Sequence, residues 1–452
     1  MSRIILRNAT IVTMDPQRRV LTGHVLVIEG DRITAITPQT EWIPQPGDDI
    51  ADVRGRFILP GFVNSHVHSV QHLSRGLSDD VDILTWLHER IWPYESNLTE
   101  EDSYISTLLF GIEQIANGVT TVADAGVQHA GGTVRAINEL GIRAALCHSI
   151  MDEGEGLPPS WQLSTDDCIA LQEDEFRAYN NAADGRVRWW FGLRTLLNNS
   201  DNLILKTVEA ANRHAAWIHM HVAEAWEEVE YCKQTRGTST VRHLARLGAL
   251  GHNLLAVHVV YVEPDEIELL HDYDVKVSHN PAAALRVMGL PKIVEMLDRG
   301  VTVGLGTDGA PSNCRNSIID EMWLTSLLQK GRLRNPSAMP AQQVLEMATI
   351  QSARCIGWNN DVGSIEVGKK ADLVVLNPNT PNMLPLHDPI SNMVFSMKTE
   401  NVESTICDGV WLLRERKYTQ IDVEAVLQEV RERAAAIRKR AGIVLPRRFN
   451  WS

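Results

Sequence analysis

At 452 residues, 44% of them apolar, the chain is too long for one small core and suits one large barrel plus a smaller domain. Its formal charge of −14 argues against nucleic acid as a partner, since phosphate binding needs a basic stripe; no run of about 18 apolar residues offers a membrane span. Cysteines at 147, 168, 232, 314, 355 and 407 show no Cys-x-x-Cys spacing, and the start Met1-Ser2-Arg3-Ile4-Ile5-Leu6-Arg7 is broken by arginines. Reduced thiols and a cytoplasmic protein without a secretory signal are expected.

In chain order, residues 1–56 read as short strands, including a hairpin of 25–28 and 33–36 around Glu29-Gly30-Asp31-Arg32. From about 57 to 363, apolar β-runs alternate with helical patterns. Eight runs are expected, at 57–66, 119–125, 142–149, 187–193, 216–222, 253–258, 275–279 and 301–307, the number a closed parallel barrel needs. Pro264 followed by Asp265 and Glu266 opens a helix after the sixth run. Strand texture returns over 364–417. Val423, Val426, Leu427, Val430, Ala434 and Ile437 then mark one stripe of a helix within 418–452. The two β-rich pieces are expected to meet in one small domain, and the C-terminal stripe suggests a homodimer or larger homo-oligomer.

Four runs carry titratable groups at their carboxyl ends. The first is Phe57-Ile58-Leu59-Pro60-Gly61-Phe62-Val63-Asn64-Ser65-His66-Val67-His68. Side chains two apart on a strand share a face, with α-carbons roughly 6.6 Å apart, so His66 and His68 can chelate one cation from one side. The fifth run carries His219 and His221 and leads to Glu224; the sixth ends in His258; the eighth leads to Asp308. Carboxyl ends of parallel strands are where α/β folds build active sites.

These motifs resemble the amidohydrolase superfamily, and within it the triazine hydrolase, melamine deaminase and adenosylhomocysteine deaminase group. The likeness continues through Val277-Ser278-His279-Asn280-Pro281, Gly304-Leu305-Gly306-Thr307-Asp308-Gly309 and Gly363-Ser364-Ile365-Glu366-Val367-Gly368-Lys369-Lys370-Ala371-Asp372. It implies an α/β fold: a distorted (β/α)8 TIM barrel over 57–363, a small β-sandwich from 1–56 and 364–417, and a helical extension over 418–452. It also implies that His66, His68, His221 and Asp308 hold one divalent metal, zinc or else iron. A two-metal design with a modified lysine on strand four is excluded, because Val187-Arg188-Trp189-Trp190-Phe191-Gly192-Leu193-Arg194 has none. In the implied reaction Asp308 accepts a proton from the attacking water, His258 steadies the charge forming on the tetrahedral carbon, and Glu224 protonates the ring nitrogen beside it.

For the substrate, a small nitrogen heterocycle, the candidate contacts are Gln71, Trp86, Arg194 and His279. His219 is expected to be a buried structural group one layer deeper, and His72 and His88 to be surface or outer residues. The chain departs from the nucleoside deaminases: Leu193-Arg194 stands where they carry Pro-His, Ala282-Ala283-Ala284 where they carry Thr-Ser-Asn, and Val259 where they carry Cys. Losing those polar groups favours a free base or synthetic heterocycle, with ammonia or another leaving group such as chloride displaced. The competing enzyme reading keeps the site and cleaves an aliphatic amide or dipeptide-like bond; a metal-free structural protein would require degraded ligands, and all four are intact.

Overall fold

The structure, a computed structural model, describes residues 3–445; Met1, Ser2 and 446–452 lie outside it, so the 1–56 segment and the 418–452 extension are seen without those ends. The central part carries strands β1 (Phe62–His68), β2 (Val119–Val127), β3 (Arg143–His148), β4 (Val187–Trp189 and Phe191–Leu193), β5 (Ile218–Val222), β6 (Leu254–His258), β7 (Lys276–His279) and β8 (Thr302–Leu305 and Asp308–Gly309). All pair in parallel in two sheets. One runs from the first half of β4 through β3, β2 and β1 to the second half of β8; the other runs from the second half of β4 through β5, β6 and β7 to the first half of β8.

The two split strands are where the chain changes partner. The Trp190 N–H donates back to Leu146 on β3 (2.8 Å), while the Phe191 N–H donates to Trp217 beside β5 (2.9 Å). On β8, Gly306 donates to His279 on β7 (2.9 Å) and Thr307 to His66 on β1 (3.2 Å). A β-carbon on Gly306 would fall 2.2 Å from the Asn280 amide oxygen, so only glycine fits this crossing.

The longer helices include α1 (Glu100–Ala116), α2 (Trp226–Arg236), α3 (Ile318–Leu333) and α4 (Val423–Arg440). Thr99 and Asp102 close a capping box on α1. Asp102 also holds α4 through Arg433 (3.4 Å) and Arg440. With Val426 and Ile437 buried in the main core, the C-terminal stripe is used against its own chain and no longer argues for a second subunit.

The flanking segments form two further sheets. Ile4–Arg7, His24–Glu29, Arg32–Pro38 and Asp49–Asp52 make one; Thr10–Val12, Val20–Leu21, Phe57–Pro60, Leu373–Leu376, Val402–Cys407, Val410–Arg414 and Lys417–Tyr418 make the other. Residues 57–60 therefore side with the flanking sheet, where Leu59 lies opposite Val374, and the first strand of the central parallel sheets starts at Phe62 rather than at 57. The misreading has a physical cause, since this sheet is apolar on both faces. Ile58, Leu373 and Val375 join Leu6, Leu26 and Ile28 in one cluster, while the alternate residues Leu59, Val374 and Leu376 enter the main core. All six cysteines are unpaired, and among the described residues no helix is long and apolar enough to cross a membrane.

Candidate metal centre and catalytic site

Alternation along β1 puts His66 and His68 on one face, and alternation along β5 does the same for His219 and His221. The two pairs meet. His68 Nε2 lies 3.3 Å from His221 Nε2, and Asp308 Oδ1 lies 3.2 Å from His66 Nε2 and 3.4 Å from His68 Nε2. Nitrogens of His66, His68 and His221 fall within 4.8 Å of one another, as do ligand atoms of His66, His258 and Asp308, and of His221, Glu224 and His258. All are buried.

The turns leaving the strands give this convergence its direction. Ala223, His258 and Asp308 adopt φ of +50°, +72° and +61°, the left-handed region that side chains avoid. Such conformations cost about 1–3 kcal/mol each and persist only where the surroundings enforce them. Here they are enforced: Val259 donates to the Val222 carbonyl (3.2 Å), Asn316 Nδ2 donates to the Asp308 carbonyl (2.9 Å), and Glu228 on α2 accepts from the Ala223 and Glu224 backbone N–H groups (3.1 and 3.0 Å).

A divalent cation fits this donor set on the evidence of the nitrogens themselves. His221 Nδ1 lies 2.9 Å from the Arg194 carbonyl oxygen, which can only accept, so Nδ1 holds the hydrogen and Nε2 presents a lone pair. That lone pair faces His68 Nε2 at 3.3 Å, which itself lies 3.4 Å from Asp308 Oδ1. Burial, reinforced by His66, pushes His68 and His221 well below the ordinary imidazole range, so they are neutral. Burial alone would raise the Asp308 carboxyl, but the hydrogen bond to His66 leads the contacts that outweigh it and hold it well below the usual carboxylate range. Converging lone pairs and one carboxylate need a positive charge among them. Three imidazoles with one carboxylate oxygen suit zinc, and iron(II) is compatible.

Around this centre the other groups divide by protonation. Glu224 is pushed up to about 8 by burial and the nearby Glu228 carboxylate, so it keeps its proton at neutral pH. Its Oε2 lies 3.6 Å from His258 Nε2, and His258, pulled down to about 3 mainly by burial, is neutral. Glu228 itself is raised to about 7 by burial.

The candidate substrate contacts separate into three places. Gln71 and Arg194 meet through a third residue: Gln71 Nε2 donates to Glu95 Oε1 (2.7 Å), and Arg194 Nη1 lies 3.6 Å from Glu95 Oε2. All three are buried, burial raises the Glu95 carboxyl, and Gln71 Oε1, Glu95 Oε2 and Arg194 Nη1 have no hydrogen-bond partner among the described residues. His279 ends β7 near His258, with neither ring nitrogen bonded among those residues. Trp86 lies in an apolar cluster with Ile83, Leu87, Trp92 and Met151.

His219 is buried as expected, with Nε2 3.0 Å from His66 Nδ1, so it braces the outer side of that candidate ligand. His72 is buried against Glu113 (2.7 Å) and His88 is exposed. Sequence reasoning missed Glu95, Glu228 and Asp124. Glu228 had a signal, four residues past Glu224 on a helix. Asp124, which accepts from the Ser69 N–H (3.2 Å) and Gly126 N–H (3.0 Å) and so holds the turn after His68, lies within an apolar strand. Glu95 had none, being one acid among several after the first strand.

Known proteins share this architecture. The chain is 35% identical over 443 residues to a 5'-deoxyadenosine deaminase of Methanosarcina acetivorans, covering 98% of this chain and 100% of that one. It is 32% identical over 440 residues to a 5-methylthioadenosine/S-adenosylhomocysteine deaminase of Desulforamulus reducens, covering 97% and 99%. Among solved structures, an adenosine deaminase from Xanthomonas campestris with bound zinc superposes with a TM-score of 0.91 at 25% identity, over 97% of this chain and 99% of that one. An atrazine chlorohydrolase from Arthrobacter aurescens complexed with zinc shares the fold, with a TM-score of 0.88 at 24% identity over 95% and 100%. The Amidohydrolase family profile matches residues 57–412, a span that opens on the Phe57–Pro60 strand of the flanking sheet and contains every residue gathered around Asp308. The chain belongs to the amidohydrolase family.

Proposed function

We propose that the protein is a metal-dependent hydrolase that replaces the amino group on a carbon of a nitrogen heterocycle with oxygen from water. The supporting observation is one buried cluster in which an ionised Asp308, the neutral His68 and His221, the His66 imidazole and a protonated Glu224 stand side by side. His66, His68, His221 and Asp308 would hold a single divalent ion, zinc for preference. When bound, such an ion supplies Lewis acidity that makes water nucleophilic near neutral pH.

Asp308 accepts the proton that the attacking water gives up. Glu224 donates its proton to the ring nitrogen beside the carbon under attack, drawing electron density from that carbon. His258 donates a hydrogen bond to the oxygen of the tetrahedral carbon; the amine leaves with the proton that Asp308 received, and the carbon's hydroxyl returns its proton to Glu224 as it becomes the product carbonyl. Gln71, Glu95 and Arg194 form a polar wall with two acceptors and one donor unused, matched to a substrate that brings hydroxyl or N–H groups; His279 offers a further contact. The relatives' names and the carboxylate of Glu95 move the proposal from free bases to adenine nucleosides.

The pairing order supports one distorted (β/α)8 barrel whose ring closes through both halves of β4 and β8, and the apolar cluster shared by the flanking sheets supports a small β-sandwich. Six unpaired thiols support a cytoplasmic location.

The test is ammonia release by the zinc-loaded protein from 5'-deoxyadenosine, adenosine, adenine, a pterin and an aminotriazine. Turnover of the nucleosides is expected. Release of amino acids from dipeptides, with no ammonia from any heterocycle, would overturn the proposal.

A further inference from the structure

Which nitrogen of each site histidine carries the hydrogen is decided by what the outer nitrogen meets. For His221 the outer Nδ1 meets a carbonyl, which only accepts. For His258 the arrangement is opposite. Its Nδ1 lies 3.2 Å from Nδ2 of Asn280, and an amide nitrogen has only hydrogens to offer. The orientation of this amide is fixed by its other neighbours. Nδ2 is 3.4 Å from the Ser278 carbonyl oxygen, which only accepts, while the Ser278 hydroxyl gives its hydrogen to Ser65 Oγ (2.7 Å), which in turn donates to the Leu305 carbonyl (2.8 Å). A flipped amide would press its oxygen toward that carbonyl.

We propose that Asn280 is a positioning residue that holds His258 in the Nε2–H tautomer, making it an obligate hydrogen-bond donor and excluding it from the metal's ligands. Geometry alone leaves His258 eligible as a ligand beside His66 and Asp308. A ligating Nε2 needs its lone pair, and the hydrogen would then sit on Nδ1 facing the hydrogens of Asn280. With the hydrogen on Nε2 instead, the ring presents a buried N–H that has no partner among the described residues and lies 3.6 Å from Glu224 Oε2. What that N–H donates to rests on the proposed function; the tautomer itself does not.

Asn280 is built in rather than loosely placed. Two residues on, the Ala282 N–H donates to Oε2 of the buried Glu321 on α3 (3.0 Å), and Asn313 Nδ2 donates to its Oε1 (2.6 Å). Glu321 thereby ties the turn bearing Asn280 to the turn just past Asp308.

Asn280→Asp is close to isosteric and inverts the bond, because a carboxylate accepts where the amide donates. Long-range proton–nitrogen correlation on zinc-loaded protein with 15N-labelled histidine, with His258 assigned by the His258→Gln variant, reads the tautomer directly. Nε2–H is expected in the natural protein and Nδ1–H in Asn280→Asp. Losing one preorganised donor costs about 10²–10³-fold in kcat, so Asn280→Asp is expected to lose about that much near neutral pH with zinc content and KM held. It should recover relative to the natural protein as pH falls and the new carboxyl regains a proton to donate; Asn280→Ala should fall between, with no such recovery. An Nδ1–H His258 in the natural protein, or an Asn280→Asp pH profile parallel to it, would overturn the proposal. If no heterocycle is turned over, the proposed function fails while the nitrogen spectra of the natural protein still decide the tautomer.

Discussion

Two buried polar clusters sit at opposite ends of the same parallel strands, and they are built differently. At the amino end Arg143, which opens β3, pairs with Asp372 (3.1 Å) and Asp408, and Lys370 pairs with Asp408 (3.4 Å) and Asp31. Burial works against the Arg143 charge, but Asp372 and Asp408 outweigh it and raise its pKa. At the carboxyl end Asp308 lies 3.4 Å from the neutral His68, Glu224 keeps a proton, and Arg194 and Glu95 stand 3.6 Å apart without a hydrogen bond. The first cluster matches its charges internally and fastens the flanking sheet to the core. The second leaves donors and acceptors that only an ion and a substrate can use, which is the division expected between the stabilising and working faces of such strands.

That contrast breaks most readily at Asp308. Asp308→Ala removes a proposed ligand and the proton acceptor together, and activity should fall at least about 10³-fold; elemental analysis should find the divalent ion depleted while circular dichroism is unchanged. Glu224→Gln should cost about 10²–10⁴-fold in kcat with ion content intact, because only a proton donor is lost. In the natural protein the same group predicts the alkaline limb: Glu224 is protonated below about 8, so kcat should hold below that pH and decline above it. A rate that instead rises through this range would remove Glu224 as the acid.

At the other end, Arg143→Ala should leave the turnover of folded protein and its ion content nearly unchanged. It strands Asp372, and breaking a buried pair costs about 3–5 kcal/mol, to be read from urea unfolding. Loss of activity without loss of stability would erase the distinction between the two clusters. The smallest effect is expected at Gly126, where a β-carbon would lie 2.4 Å from His68 Nδ1. Gly126→Ala should push the His68 ring aside and weaken ion binding about 10–100-fold, as changes behind a ligand do, measurable by competition with a chelator.

The eight β-runs, the hairpin, the C-terminal helix and the six titratable residues of the centre were legible because each depends on short-range pattern. Period-two alternation sets the face of His66, His68 and His221, and a titratable residue closing an apolar run marks a strand's carboxyl end. Residues 57–60 were misassigned because an apolar run looks alike whichever sheet takes it. Glu95 and Glu321 were invisible because charge alone does not tell a buried carboxylate from a solvated one.

Strand identity, order along the chain and the side-chain type at every strand end were thus already determined by the sequence, since they arise from local periodicity. Tertiary structure alone decided which nitrogen of His258 faces Asn280, that Glu95 stands between Gln71 and Arg194, and that α4 closes on its own chain. Each of these depends on residues tens to hundreds of positions apart being brought within hydrogen-bonding or packing distance, where direction and burial, which no local pattern encodes, settle the chemistry.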